Sequence, residues 1–212
     1  MFSIGYLKDT EYAVSELIKL ATHEELQLEQ LENNLKKAVE LYEILYLQFY
    51  NYDLSEFTDE LVLQNLYQKS MKAQSHCDEL KLKADKLRVS IHNKQTSIRA
   101  LCQAILQIAR QGISISYKRS KDKCPPGRNV YGESLKTIIW EARNQSIHHE
   151  EGNFKTSVQD CFYHLESEIG ADIIPFSSHP NRNYSKEIIW LLGWTDYSKY
   201  YIDMISLLGE EN

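Results

Sequence analysis

Apolar residues recur along most of this chain at spacings of three and four, the period of an α-helix with one buried face. Ala13, Val14, Leu17 and Ile18, with Tyr12 and Leu20, predict a first short helix over 10–22. Thr22 with Glu25 has the spacing of a capping box, which predicts that a second helix starts there. From Leu28 the pattern is heptad-like: Leu28, Leu31, Leu35, Ala38, Tyr42, Leu45 and Phe49. Polar residues from Asn51 to Ser55 break it, with Asp53 or Ser55 as the next N-cap. A longer run follows, through Leu66, Ala73, Cys77, Leu80, Ala84, Leu87, Ile91, Ile98, Leu101, Ile105 and Ile108. Ser70 and Lys94 are its polar exceptions, and no Pro or Gly occurs before Gly112. A helix from 57 to 110 would be on the order of 80 Å long at 1.5 Å per residue. It is therefore expected either to kink near His92–Thr96 or to form a hairpin arm with helix 24–50.

Gly112 is expected to end this helix, and the alternating Ile113–Tyr117 to form a scrap of strand or nothing. Residues 117–132, closed by Pro125-Pro126-Gly127, predict a long basic loop. Ser134 is placed to cap a further helix that closes before Gly152. Val158, Cys161, Phe162, Leu165 and Ile169 predict another, ended by Gly170. After a loop with Pro175 and Pro180, two short helices over 185–192 and 195–208 are split at Gly193. Tyr184, Trp190, Trp194, Tyr197, Tyr200 and Tyr201 supply core, with some left for a dimer face. The fold class is all-α, and 4 Pro and 8 Gly among 212 residues agree with long helices.

Charge changes this picture more than composition does. The net charge of −6 argues against a nucleic-acid partner only until its distribution is read. Residues 81–128 carry 12 Lys and Arg against 2 Asp and Glu, while 1–80 are net −9 and 129–212 net −7. The basic segment either pairs with the acidic N-terminal helices or presents a polyanion-binding surface. Lys118, Arg119, Lys121, Lys123 and Arg128 are the candidate RNA-phosphate contacts in its loop, with Tyr117 and Tyr131 for base stacking. No apolar run reaches the ~18 residues of a membrane span. Residues 1–12 lack the pattern of a secretory signal, and Cys77 and Cys102 read as small buried hydrophobes. A cytoplasmic protein with no membrane partner is expected. His23, His76, His92 and His179 stand in polar surroundings and read as surface residues.

The densest candidate chemistry lies in 134–154, SLKTIIWEARNQSIHHEEGNF. Asn144 and His148 are four apart and share a helix face, with Arg143 beside them. A guanidinium, an amide and an imidazole can bind a phosphate and move a proton near neutral pH. His149 points about 100° away from its neighbour on a helix and is the reserve candidate. The His148–Glu151 run, with Cys161 and His164, lacks a familiar zinc spacing, so no metal and no cofactor are expected.

Arg143-Asn144-x3-His148, at the end of an apolar helix, resembles the R-x(4–6)-H motif of HEPN domains. The resemblance is strongest over 134–165. It implies one HEPN-like helical bundle domain over 1–212, with 134–208 carrying the motif helix and C-terminal helices; the long heptad-patterned hairpin or arm over 24–110 comes from the spacing, is compatible with that fold and is longer than the resemblance implies. It also implies a metal-independent endoribonuclease, a toxin or defence effector. Cleavage would be by 2′-OH attack, at a site completed by two protomers of a homodimer. Arg143 would hold the phosphate, Asn144 would position it, and His148, or His149, would carry the proton. An antitoxin or other regulatory protein is a further implied partner. The alternative is a non-catalytic HEPN-like module for protein interaction or dimerisation.

Overall fold

The computed structural model describes the backbone of residues 3–50, 60–118 and 120–209. Six α-helices make up most of it: α1 (Ser3–Tyr50), α2 (Glu60–Ser116), α3 (Leu135–His148), α4 (Thr156–Ile169), α5 (Ser185–Leu191) and α6 (Tyr197–Leu208). Two two-residue strands, β1 (Asn129–Val130) and β2 (Glu133–Ser134), pair antiparallel across the Tyr131-Gly132 turn. Both turn residues have positive φ, 49° and 82°, as a tight two-residue hairpin requires. The all-α class is as expected from the three–four periodicity.

Three local expectations are corrected. Thr22 and Glu25 start no new helix; α1 runs through them unbroken. A cap needs a residue with non-helical backbone. Here Val14, Ile18, Ala21 and Leu28 are all buried along one continuous helical face, which keeps the backbone helical. Gly112 does not end α2, which continues to Ser116, so Ile113–Ser116 is helix rather than strand. This glycine serves close packing: a Cβ there would lie 2.8 Å from the Tyr6 ring. The expected loop 117–132 holds the 3-10 turn Lys121–Lys123 and the small hairpin. The break at 51–55, with its caps Asp53 and Ser55, lies outside the described residues.

The chain divides into two compact units, residues 1–24 with 96–212, and residues 25–95. In the second, α1 and α2 segments run antiparallel: the Lys94 ammonium donates to Gln27 Oε1 at 2.8 Å, and Val39, Tyr42 and Glu43 line a groove with Lys81, Ala84 and Arg88. Among its described residues the buried apolar positions are Leu28, Ala38, Cys77, Leu80 and Ala84, all on the expected heptad face. α2 passes through His92–Thr96 without leaving the helical state.

The first unit holds the larger core. Tyr6 donates its hydroxyl to the Ile108 carbonyl at 2.8 Å, seating the start of α1 on the end of α2. Phe162, Phe176 and Tyr184 cluster with ring centroids 5.0–6.1 Å apart, and Trp194 meets Tyr200 edge-on at 4.9 Å. α3 is capped as expected: Ser134 Oγ accepts from the Thr137 N–H at 3.2 Å. Gly170 closes α4 with φ of 94°. All four cysteines are buried and none forms a disulfide, Cys77 and Cys102 among them.

Candidate functional site

α3 is held in rotation from behind. Gln145 is fully buried; its amide donates to the Arg182 carbonyl at 2.6 Å and its oxygen accepts from the Tyr184 N–H at 3.2 Å. Asn183 donates to Gln103 Oε1 at 3.1 Å. Buried amides must satisfy these bonds, so the 180–185 loop locks the helix by its polar side. The adjacent face, about 100° around the helix and carrying Trp140, Asn144 and His148, faces a cavity of about 390 Å³. Arg110 of α2 and Glu151, Asn153, Phe154, Lys155 and Val158 of the 151–158 segment complete its wall. The volume is within the range of small-molecule sites, ~300–1,000 Å³.

The motif residues divide in this geometry. Asn144 and His148 share the cavity, as their four-residue spacing predicts. Arg143 stands beside it. Its Nε donates to Gln107 Oε1 at 2.6 Å and its Nη1 reaches Asn144 Oδ1 at 3.3 Å. Asn144 in turn donates to Glu141 Oε2 at 3.3 Å, an oxygen that also accepts from Ser157 at 3.2 Å. Glu141 is 2% exposed, so this carboxylate is a buried charge that needs positive neighbours. His148 Nδ1 lies 2.9 Å from Glu151 Oε1, which orients the imidazole and leaves Nε2 for a ligand. His149 turns away and bonds the Ser146 carbonyl through Nδ1 at 2.9 Å; it is not part of the cavity wall.

Two guanidiniums dominate the electrostatics. Burial, and then the neighbouring Arg110, lowers the pKa of Arg143. Burial lowers that of Arg110 too, while Glu141 opposes the effect. Burial is the larger cause of both shifts, and both arginines stay charged at any ordinary pH. The Arg110 Cζ lies over the Trp140 ring, 4.4 Å from its centroid.

The basic loop is less uniform than its sequence. Arg128 grips Asp203 with two hydrogen bonds, 2.7 and 2.9 Å, and the Leu192 carbonyl at 2.7 Å. Its guanidinium is thus committed to fastening the hairpin to α6. Tyr117 donates to the Leu207 carbonyl at 2.6 Å, which ties down its hydroxyl end, whereas Tyr131 is exposed. Lys118 and Lys123 are exposed; Arg119 and the Lys121 side chain lie outside the described residues.

Sequence reasoning singled out neither Arg110, Trp140 and Lys155 nor the buried Glu141. Arg110 had one signal, its place in the basic segment, but nothing local connects residue 110 with 144. Only the packing of α2 on α3 does. Among the described residues no three His, Cys, Asp or Glu side chains gather as a metal site, and no helix is long and apolar enough to cross a membrane. Comparison with protein-family models, with curated proteins and with solved structures finds no match to this chain.

Proposed function

We propose that this protein is a metal-independent endoribonuclease of the HEPN type, working as a homodimer. The observation that supports it most is the joint placement of Asn144 and His148 on one cavity wall, with the Arg143 guanidinium hydrogen-bonded to Asn144. In this reading a ribose 2′-oxygen attacks the adjacent phosphorus. The imidazole of His148 takes the 2′-hydroxyl proton, and the 5′-oxygen leaves with a proton from an imidazole acting as acid. The products are a 2′,3′-cyclic phosphate and a free 5′-hydroxyl. A second copy across a two-fold axis brings the second imidazole. Glu151 at His148 Nδ1 stabilises the imidazolium that forms. Positive charge at Arg143 offsets the charge gathering on the phosphoryl oxygens.

The test is RNA cleavage by the purified protein in EDTA, followed by analysis of the new ends. Cyclic phosphate termini are expected from wild type, with a loss of 10²-fold or more (order of magnitude) in Arg143→Ala and His148→Ala. Unchanged cleavage in both variants removes these residues from the mechanism. One observation favours a second reading, a non-catalytic interaction module: Arg143 Nε is spent on Gln107, tying α3 to α2. That reading gains if concentrated protein leaves RNA intact in EDTA and Arg143→Ala lowers only stability.

A further inference from the structure

Arg110 stands out from the other cations of the site. Its Nε is buried with no hydrogen-bond partner among the described residues, although a buried guanidinium nitrogen without a partner is costly. The guanidinium lies over Trp140 and lines the cavity that Asn144 and His148 also line. Arg143, by contrast, is not part of that wall and has Nε spent on Gln107. Lys155, on the loop entering α4, lines the same cavity. Around this volume stand Arg110, Lys155 and the adjacent Arg143 against Glu141 and Glu151. Glu141 is already hydrogen-bonded by Asn144 and Ser157, and Glu151 by His148. An excess of positive charge remains, with one donor unused.

We infer that Arg110 is the phosphate-binding arginine of this cavity, with Lys155 as its companion, and that Arg143 positions Asn144 rather than gripping the substrate itself. The group bound is a backbone phosphate of single-stranded RNA, set within reach of His148. The guanidinium is held over an indole, 4.4 Å from the ring centroid, so less side-chain entropy is lost when it closes on phosphate oxygens. A phosphate bound there also relieves the repulsion that Arg110 exerts on Arg143. This inference rests on the ribonuclease reading for the identity of the ligand, but not for the presence of the anion site.

The experiment uses the full chain and a single-stranded RNA methylated at every 2′-oxygen, which cannot be cleaved by 2′-attack. Binding is followed by fluorescence anisotropy across a salt series. Arg110→Gln is expected to weaken binding about tenfold and to reduce the slope of log K against log salt by about 0.7, the loss of one phosphate contact on a single strand. Lys155→Gln should change the slope in the same direction, and Arg110→Lys should preserve it. A merely structural arginine would alter stability without touching the slope. If Arg110→Gln does not fold, Arg110→Met keeps an unbranched chain on Trp140 and replaces it. With wild type, inorganic phosphate should displace the methylated strand more effectively than chloride at equal ionic strength; equal displacement overturns the inference whatever the variants do. A folded Arg110→Gln protein with wild-type affinity and slope also overturns it. If wild type cleaves no RNA in EDTA yet binds the methylated strand through Arg110, the ribonuclease reading falls and the phosphate site stands. If RNA is cleaved and Arg110→Gln cleaves and binds as wild type does, the reading stands and the role of Arg110 falls.

Discussion

Arg128 and Arg143 are both basic residues within short polar runs, yet their side chains meet different fates. Arg128 closes on Asp203, which is 5% exposed and also accepts from the Trp194 indole at 2.8 Å. Removing the guanidinium leaves a buried carboxylate with one partner fewer. Arg128→Ala should therefore cost about 2 kcal/mol in urea denaturation, towards the low end for a buried pair because the arginine is half exposed. RNA affinity should change little beside that loss. Tyrosines set a second residue-level expectation. Burial pushes Tyr6 and Tyr184 up to about 12, and both hydroxyls donate to carbonyls, which only the protonated phenol can do. An unfolded tyrosine ionises near 10. The stabilisation is complete below about pH 10 and is lost as pH rises towards 12, because the unfolded chain releases those protons first. Unfolding midpoints should fall across that window, and Tyr184→Phe should flatten the fall.

Helix boundaries show where local signals prevail and where packing overrides them. Ser134 precedes α3 with extended backbone, ψ 141°, and its hydroxyl reaches the Thr137 N–H. Ser134→Ala should cost about 1 kcal/mol in chemical denaturation. Thr22 carries an equally good capping sequence but sits inside α1, where its Oγ1 is buried without a hydrogen-bond partner. Thr22→Ala should raise stability by roughly 0.5–1 kcal/mol, through better helix propensity and one fewer unsatisfied hydroxyl. A loss of stability there would mean that the hydroxyl has a capping role after all. Gly112 makes the same point from the other side. Composition marks it as a stop, but the Tyr6 ring makes it a point of contact, and α2 runs on for another turn.

Across the whole molecule, α1 and α2 each run through both units, and burial along α2 differs between them. Among the described residues between 64 and 95, the buried positions of α2 are Cys77, Leu80 and Ala84, while Ile98, Cys102, Ile105, Leu106, Ala109 and Ile113 are all buried further along. Amide protection follows the local density of buried contacts. Hydrogen exchange should thus be faster by roughly tenfold or more in residues 64–95 than in 98–113 of the same helix. Uniform protection along α2 would show a single cooperative unit instead. The proposed homodimer belongs to this scale as well: light scattering should return about twice the 24.8 kDa of one chain. A monomer at every concentration would remove the two-copy mechanism.

Much of the architecture was legible because it is periodic. The heptad positions that prove buried (Leu28, Ala38, Cys77, Leu80, Ala84, Ile98 and Ile105), the cap at Ser134 and the stop at Gly170 are written in neighbouring residues, and local rules suffice to read them. So is the convergence of Asn144 with His148, since four residues bring two side chains to one helix face. What lies far apart in sequence was settled by tertiary packing alone: Arg110 brought to Trp140, Arg128 turned onto Asp203, Gly112 laid against Tyr6. Helical periodicity determines which face of a segment is apolar. It carries no information about which other segment covers that face, and the wall of the cavity depends on that pairing.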